Sequence, residues 1–242
     1  MRSEITTSDR MASILKKHID HEGVQTLLEA AATCDAANQY LIDGDPELAL
    51  ETALPLVLLE TPVIAWRARE IAIAALDELI ERASAEGDPA RALKYVEQWL
   101  RLEPNAFYPL MRRAEIYQFE LYDFHTAWAT YLQILRHYPN SIEAMVGMAQ
   151  LALMEGNPDR AYPYVLRAWQ TLAKSEWAYT PSVRTLQSVF EDLYDITAGL
   201  LEWLGAHEDA LQMLEQALSM LGESPLLKER LRLLIESEPS SD

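Results

Sequence analysis

The sequence is poor in cysteine and in long apolar runs, and each shortage excludes a class of protein. Its one cysteine, Cys34, excludes a disulfide within the chain, and we expect a small buried side chain there. The longest apolar stretch, 53–59, contains Pro55 and is far shorter than the roughly 20 residues of a membrane-spanning helix. Residues 1–20 include acidic side chains and lack the apolar segment of a secretory signal. We therefore expect a cytoplasmic protein with no membrane insertion.

Positive charge is scarce as well. The chain has 20 Lys and Arg against 38 Asp and Glu, and its formal net charge is −18. This charge would repel a phosphate backbone, so we expect no nucleic-acid partner. The acidity is concentrated toward both ends, while residues 105–175 are neutral. Two interpretations stay open: acidic helices that keep the protein soluble, or a surface that attracts a basic or amphipathic segment of a partner.

The abundant residues favour helices. Apolar residues make up 50% of the chain, and Ala, Leu and Glu are common, while there are only 8 glycines. Such a composition is sufficient for a continuous core and is typical of helical proteins. We expect an all-α protein with little or no sheet.

A short turn motif recurs along the chain at intervals of about 34 residues, with longer first and last intervals. Each copy has a turn residue followed five positions later by an alanine. The copies are Gly44 with Ala49, Gly87 with Ala92, Tyr122 with Ala127, Gly156 with Ala161, and Gly205 with Ala210. A period of this kind indicates a stack of helical hairpins, with one hairpin for each turn.

The copy that begins at Gly156 shows why a hairpin forms at such a turn. Gly156 allows the first helix to end in the left-handed conformation, and Asn157 caps the next helix. Pro158 fits the first turn of that helix, where no backbone donor is needed. Ala161 is small enough for two helices to cross closely.

The two clearest copies, residues 73–106 and 142–175, resemble the tetratricopeptide repeat (TPR) family. Three weaker copies extend the resemblance over roughly residues 27–222. It implies an all-α, TPR-like superhelix of about five hairpins, in which the first helices line a concave groove that binds protein. The matching positions are Leu79, Gly87, Ala92, Val96, Trp99 and Pro104 in the first clear copy, and Met148, Gly156, Ala161, Val165 and Ala168 in the second.

The same pattern predicts three segments. Residues 1–26 form an N-terminal extension whose apolar residues at 11, 14, 15 and 19 indicate an amphipathic helix, either an N-terminal cap or a docking segment. Residues 27–224 form the TPR-like repeat domain. Residues 225–242 provide a C-terminal capping helix, with Leu227, Leu231 and Leu234 on one face, and a disordered tail.

The faces that would line the groove are acidic at both ends and apolar in the middle. Aromatic and Met side chains give adaptable contact area, and carboxylates orient a basic segment. The alternative is that the long first helices of some copies bury these side chains. The predicted partner-binding residues are Asp77 and Glu81 in the second copy, Tyr108, Met111, Arg112, Glu115 and Phe119 in the third, and Gln150, Leu153 and Met154 in the fourth. The fifth copy offers Asp192, Asp195, Glu202 and Trp203 on the matching face.

Motifs of catalysis are missing. The sequence has no nucleotide-binding loop, no nucleophile elbow and no paired-cysteine metal site. His18 and His21 lie one helical turn apart and are the nearest approach to a metal site. We expect no cofactor, no bound metal and no enzymatic activity.

We therefore interpret the chain as a scaffold or adaptor that holds a partner protein or peptide, with basic or amphipathic character. The narrower alternative is an assembly or secretion chaperone for an aggregation-prone client. A metal-dependent enzyme built on His18, His21 and carboxylates is the third hypothesis. Self-association through irregular terminal hairpins also stays open.

Overall fold

The computed structural model of the chain describes residues 21–174 and 186–236. Every regular element in those ranges is helical, so the predicted all-α fold class is confirmed. The predicted helix around residues 10–19 and the C-terminal tail after Glu236 lie outside the described residues. The chain divides between Asp88 and Pro89 into two compact units, unit 1 and unit 2.

Unit 1 consists of a helical hairpin and a third, longer helix packed on it. The hairpin closes at Gly44, whose carbonyl accepts a hydrogen bond of 2.9 Å from the Arg82 guanidinium. An ion pair of 2.5 Å between Asp35 and Arg67 joins the first helix to the third. The elements are α1 (His21–Ile42), α2 (Pro46–Ala53), a 3₁₀ turn (Leu54–Leu58) and α3 (Pro62–Ala85).

Unit 2 repeats the hairpin three times and ends in a capping helix. The hairpins are α5 with α6, α7 with α8, and α9 with α10, and α11 packs against α9 and α10. The elements are α4 (Pro89–Leu102), α5 (Phe107–Glu115), a π-helical turn (Ile116–Glu120), α6 (Phe124–His137), α7 (Ile142–Met154), α8 (Pro158–Ala173), α9 (Leu186–Trp203), α10 (His207–Leu221) and α11 (Pro225–Glu236).

The turn of the third copy keeps its left-handed residue although it has lost its glycine. Tyr122 takes the glycine's place with a positive φ of 54°, where Gly156 has 70°. The next residue, Asp123, stabilises this turn by accepting hydrogen bonds from the Thr126 hydroxyl at 2.6 Å and the Thr126 N–H at 3.1 Å. These two bonds hold the pKa of the Asp123 carboxyl below its usual value.

Asn157 caps α8 as the sequence predicted. Its side-chain oxygen accepts a hydrogen bond of 3.1 Å from the N–H of Arg160. We expect Asn157→Ala to lower the free energy of unfolding by about 1 kcal/mol, because one N–H of the first turn loses its partner. Asn157→Asp keeps the acceptor and is expected to leave stability nearly unchanged. Urea unfolding followed by circular dichroism measures both, and equal losses in the two variants would contradict the capping role.

The alanines of the repeat are buried as expected. Each of the five has no exposed surface, which fits a position where two helices come close together. These residues are Ala49, Ala92, Ala127, Ala161 and Ala210. Cys34 is likewise buried, which confirms the small core side chain predicted for it.

Helices α6 and α7 lie close together at a glycine. A Cβ added at Gly147 would lie 2.5 Å from two ring carbons of Tyr131, which is itself almost fully buried. The Tyr131 hydroxyl donates a hydrogen bond of 2.8 Å to the Oε1 atom of Gln118. Gln118, in the π-helical turn, is fully buried. Because Gly147 has no side chain, the Tyr131 ring can lie directly against α7. In this position its hydroxyl group provides a hydrogen-bond partner for the buried Gln118 amide.

No helix among the described residues has both the length and the apolar character that crossing a bilayer requires.

Candidate functional site

Helix α7 is buried on nearly all sides until its last turn. Ser141 caps its start by accepting a hydrogen bond of 3.1 Å from the Ala144 N–H, and residues 142–149 are all buried. A predominantly apolar helix of this kind runs through a core. Gln150 is half-buried, Leu151 and Ala152 are buried again, and only Leu153 and Met154 reach the surface, at the C-terminal end of α7 beside the turn to α8.

Two neighbouring pockets lie where α7 and α8 meet α9. The first has a volume of about 370 Å³ and the second about 360 Å³. They share Pro158 and Trp203, so one tryptophan ring borders both. The first is lined by Pro158, Asp159, Tyr162, Leu200, Trp203 and Leu204. The second is lined by Pro158 and Trp203 together with Leu153, Asp195, Gly199 and Arg230, among others. We call the residues around the two pockets the Trp203 surface.

The Trp203 surface exposes several large apolar side chains. Trp203 itself is 56% exposed, and Tyr162, Leu204 and the nearby Met154 are also exposed. Single exposed apolar residues are common on any protein, whereas a group of them around pockets marks a place of interaction.

Arg230 of α11 lies across one face of α9 beside the second pocket. Its Nη2 atom is 3.2 Å from Oε2 of Glu202, and its Nε atom is 3.6 Å from Oδ1 of Asp195. A Cβ at Gly199 would lie 2.7 Å from the same Nη2 atom. Since Asp195, Gly199 and Glu202 are spaced four and three residues apart, they share a helix face. The glycine between the two carboxylates leaves room for the guanidinium group.

Asp195 is the carboxylate of this group with the least water around it. Burial raises the pKa of the Asp195 carboxyl above its usual value, and the positive charge of Arg230 offsets this only in part. A negative charge on Asp195, beside the second pocket, is therefore less well compensated than the charge of a fully paired carboxylate would be.

The residues predicted in the third copy differ in how far the structure exposes them to solvent. Met111 is only 5% exposed and belongs to the core of unit 2. Arg112 and Glu115 form an ion pair of 3.0 Å, with 18% and 12% of their side chains exposed. Tyr108 packs against the Trp99 ring with 5.2 Å between centroids. Phe119 is exposed, so it offers the largest free surface of this group.

Close to that ion pair, Glu120 has its carboxyl pKa raised by partial burial and by the charge of Glu115, while Arg112 acts in the opposite direction. The Glu120 side chain nevertheless stays exposed at the end of the π-helical turn.

One of the residues predicted in the fourth copy lines the second pocket. This is Leu153, and Gln150 is half-buried about one turn earlier on α7. Met154 is exposed, and its sulfur accepts a hydrogen bond of 3.4 Å from Nε2 of Gln118. This bond links the end of α7 to the π-helical turn that carries Phe119.

The two residues predicted in the second copy belong to unit 1. Asp77 and Glu81 lie one turn apart on α3, where Asp77 is half-buried and Glu81 is exposed.

Sequence reasoning missed most of the Trp203 surface. It identified Leu153, Asp195 and Trp203, but it did not find the contributions of the α7–α8 turn, of α8, of α11 and of several further residues of α9. The missed residues are Gly156, Pro158, Asp159, Tyr162, Ile196, Gly199, Leu200, Leu204 and Arg230. One signal was available, because a glycine inside a helix of so glycine-poor a chain indicates a close approach by another group.

Within the described residues, no group of three or more His, Cys, Asp or Glu is arranged to hold a metal ion. His18 and the side chain of His21, which carried the metal-enzyme hypothesis, lie outside the described residues.

Comparison with known proteins gives the fold. No protein-family model matches the sequence, and no curated protein matches it either. Among solved structures, a thermophilic TPR protein from Thermus thermophilus is similar, with a TM-score of 0.54 and 16% identity over 86% of this chain and 99% of that chain. At this identity the likeness shows a TPR-like fold, as the sequence resemblance implied.

Two further solved structures align over most of the chain with lower TM-scores. PilW, described as a widely conserved type IV pilus biogenesis factor, has a TM-score of 0.49 and 13% identity over 84% of this chain and 98% of its own. A tetratricopeptide repeat protein from Parabacteroides merdae has a TM-score of 0.34 and 19% identity over 86% of this chain and 99% of its own.

Proposed function

We propose that this protein is a non-catalytic binding module that holds a segment of a partner protein against the Trp203 surface. The observation that carries the proposal is the pair of pockets bordered by one half-exposed tryptophan. Tryptophan in a pocketed, partly apolar surface is the residue type that most often dominates binding energy between proteins.

The chemistry around the pockets favours a basic or amphipathic partner. Asp159 lines the first pocket and Asp195 the second, with Glu202 beside it, and Arg230 is the cation that faces the last two. Carboxylates at the edge of an apolar site orient a segment that carries Lys or Arg. The net charge of −18 raises the local concentration of such segments.

The predicted third-copy residues extend the proposal toward the π-helical turn. The Gln118 to Met154 bond joins that turn to the end of α7, and the neighbouring Phe119 is exposed. A partner segment that fills the pockets and continues past Met154 would reach Phe119. Met111 lies in the core and has no part in this contact. The predicted contact of a partner with Asp77 and Glu81 on unit 1 stays a prediction.

Affinity purification with paired tryptophan variants tests the proposal. We expect Trp203→Ala to reduce the recovery of specific partner proteins by about 30-fold, the loss that corresponds to a hot spot of about 2 kcal/mol. Trp66→Ala is the matched control, because Trp66 is 63% exposed and lies on unit 1. Melting curves of both variants check that neither has lost its fold.

Recovery of the same partners by Trp203→Ala, or their loss with Trp66→Ala alone, would place the binding surface elsewhere. A single stoichiometric partner that aggregates once released would identify the partner as a chaperone client.

A further inference from the structure

We propose that the second pocket of the Trp203 surface is a subsite for one lysine or arginine side chain of the bound partner. An apolar side chain of the same segment would occupy the first pocket. This inference rests on the proposed function and adds to it the chemistry of the residues that are recognised.

Among the described residues, the ion pairs around the second pocket leave negative charge in excess. Two carboxylates, Asp195 and Glu202, face the single guanidinium group of Arg230. The guanidinium is within hydrogen-bond distance of Glu202, at 3.2 Å, whereas its Nε atom is 3.6 Å from Asp195 and too far for a hydrogen bond. The negative charge of Asp195 is therefore less well compensated than that of Glu202, although Asp195 is the more buried of the two.

A second cation would correct this imbalance. The raised pKa of Asp195 reflects the cost of holding its charge away from water. A partner ammonium or guanidinium group beside Asp195 would supply a charge-assisted hydrogen bond in a place partly shielded from solvent. An anionic side chain would be repelled by both carboxylates, and a neutral one would leave Asp195 as it is.

The walls of the pocket suit the stem of such a side chain. Trp203 and Leu153 give apolar surface for the methylene groups of Lys or Arg, and the tryptophan face attracts a cation. The chain already contains one contact of this kind, since the Arg160 guanidinium lies 3.4 Å from the centroid of the Trp128 ring. A volume of about 360 Å³ is at the small end of ligand pockets, which suits one side chain.

Because Trp203 borders both pockets, the two subsites are adjacent. The predicted recognition pattern is therefore an aromatic or aliphatic residue within about four positions of a Lys or Arg, the spacing that one helical turn or a short extended stretch provides.

A phage-displayed random peptide library, selected on the whole protein and depleted on the Trp203→Ala variant, tests the pattern. We expect the selected peptides to combine an apolar residue with a nearby Lys or Arg. Asp195→Asn is expected to weaken them about tenfold, as the loss of one bond to a charged group would. Asp209→Asn, which changes an exposed carboxylate on α10, is the matched control and should have no effect.

A double-mutant cycle then identifies the contact itself. Changing the peptide's Lys or Arg to Met should cost about tenfold on the wild-type protein and much less on Asp195→Asn, because the two changes remove the same interaction. Equal costs on both proteins would overturn the subsite, as would a selection dominated by acidic or uncharged peptides. If no peptide depends on Trp203, the proposed function fails and the subsite fails with it. Peptides that need Trp203 but are indifferent to Asp195 would overturn the subsite alone.

Discussion

Leu227→Ala is expected to lower the free energy of unfolding of unit 2 by about 2–5 kcal/mol, the usual cost of removing a fully buried leucine side chain. Leu227 has no exposed surface and anchors α11 in a cluster with Leu214, Leu234 and Ala198. The cost is at the upper end if the surrounding helices cannot move into the cavity. Urea unfolding followed by circular dichroism measures the loss.

The neighbouring residue provides the control. Leu226 is 41% exposed on the same helix, so Leu226→Ala removes the same atoms from a site that is largely in water. We expect it to change stability by less than about 1 kcal/mol. Similar losses of stability in both variants would show that α11 does not pack through Leu227 as described. Because α11 also carries Arg230, Leu227→Ala should also destabilise the arrangement of the residues that form the Trp203 surface.

Gly147→Ala is expected to be the most damaging small substitution in unit 2, with a loss of about 1–3 kcal/mol. In the interior of a helix, alanine is ordinarily more stable than glycine by up to about 1 kcal/mol, so the sign of the effect is reversed here. The reason is the 2.5 Å distance between the new Cβ and the Tyr131 ring, which is buried and cannot swing into solvent. Displacing the ring also breaks its hydrogen bond to Gln118.

Gly199→Ala separates the clash of a new Cβ from the intrinsic preference of a helix for alanine over glycine. There the new Cβ meets only the end of the Arg230 side chain, at 2.7 Å, and that flexible side chain can move aside. We expect Gly199→Ala to remain within about 1 kcal/mol of the wild type. Thermal melts of the two variants compare them directly, and a Gly147→Ala protein as stable as Gly199→Ala would contradict the close approach of α6 and α7.

The local features of this chain were predictable because the residues that produce them lie within about six consecutive positions. A glycine or its substitute, a capping Asp or Asn and a small alanine five residues on are enough to define each hairpin. Even the exception at Tyr122 follows this rule, since Asp123 and Thr126 provide hydrogen bonds that stabilise its turn. The resemblance to the TPR family depends on these same positions.

The binding residues were harder to predict, because exposure depends on what each helix meets. Met111 and Phe119 both belong to the predicted face of the third copy, yet one is in the core and the other at the surface. The π-helical turn at Ile116–Glu120 contains Phe119 and shifts its helical register relative to that of Met111. A regular helical spacing applied to the sequence does not include that shift.

By itself, the sequence determined that this protein is all-helical, where its hairpins turn and which small residues lie at the crossings, since those features depend on neighbours along the chain. The tertiary structure decided that Trp203 borders two pockets and that Arg230 lies over Gly199 between two carboxylates. Those contacts join residues from separate helices, and their energies depend on distance and burial, which spacing along a chain does not specify.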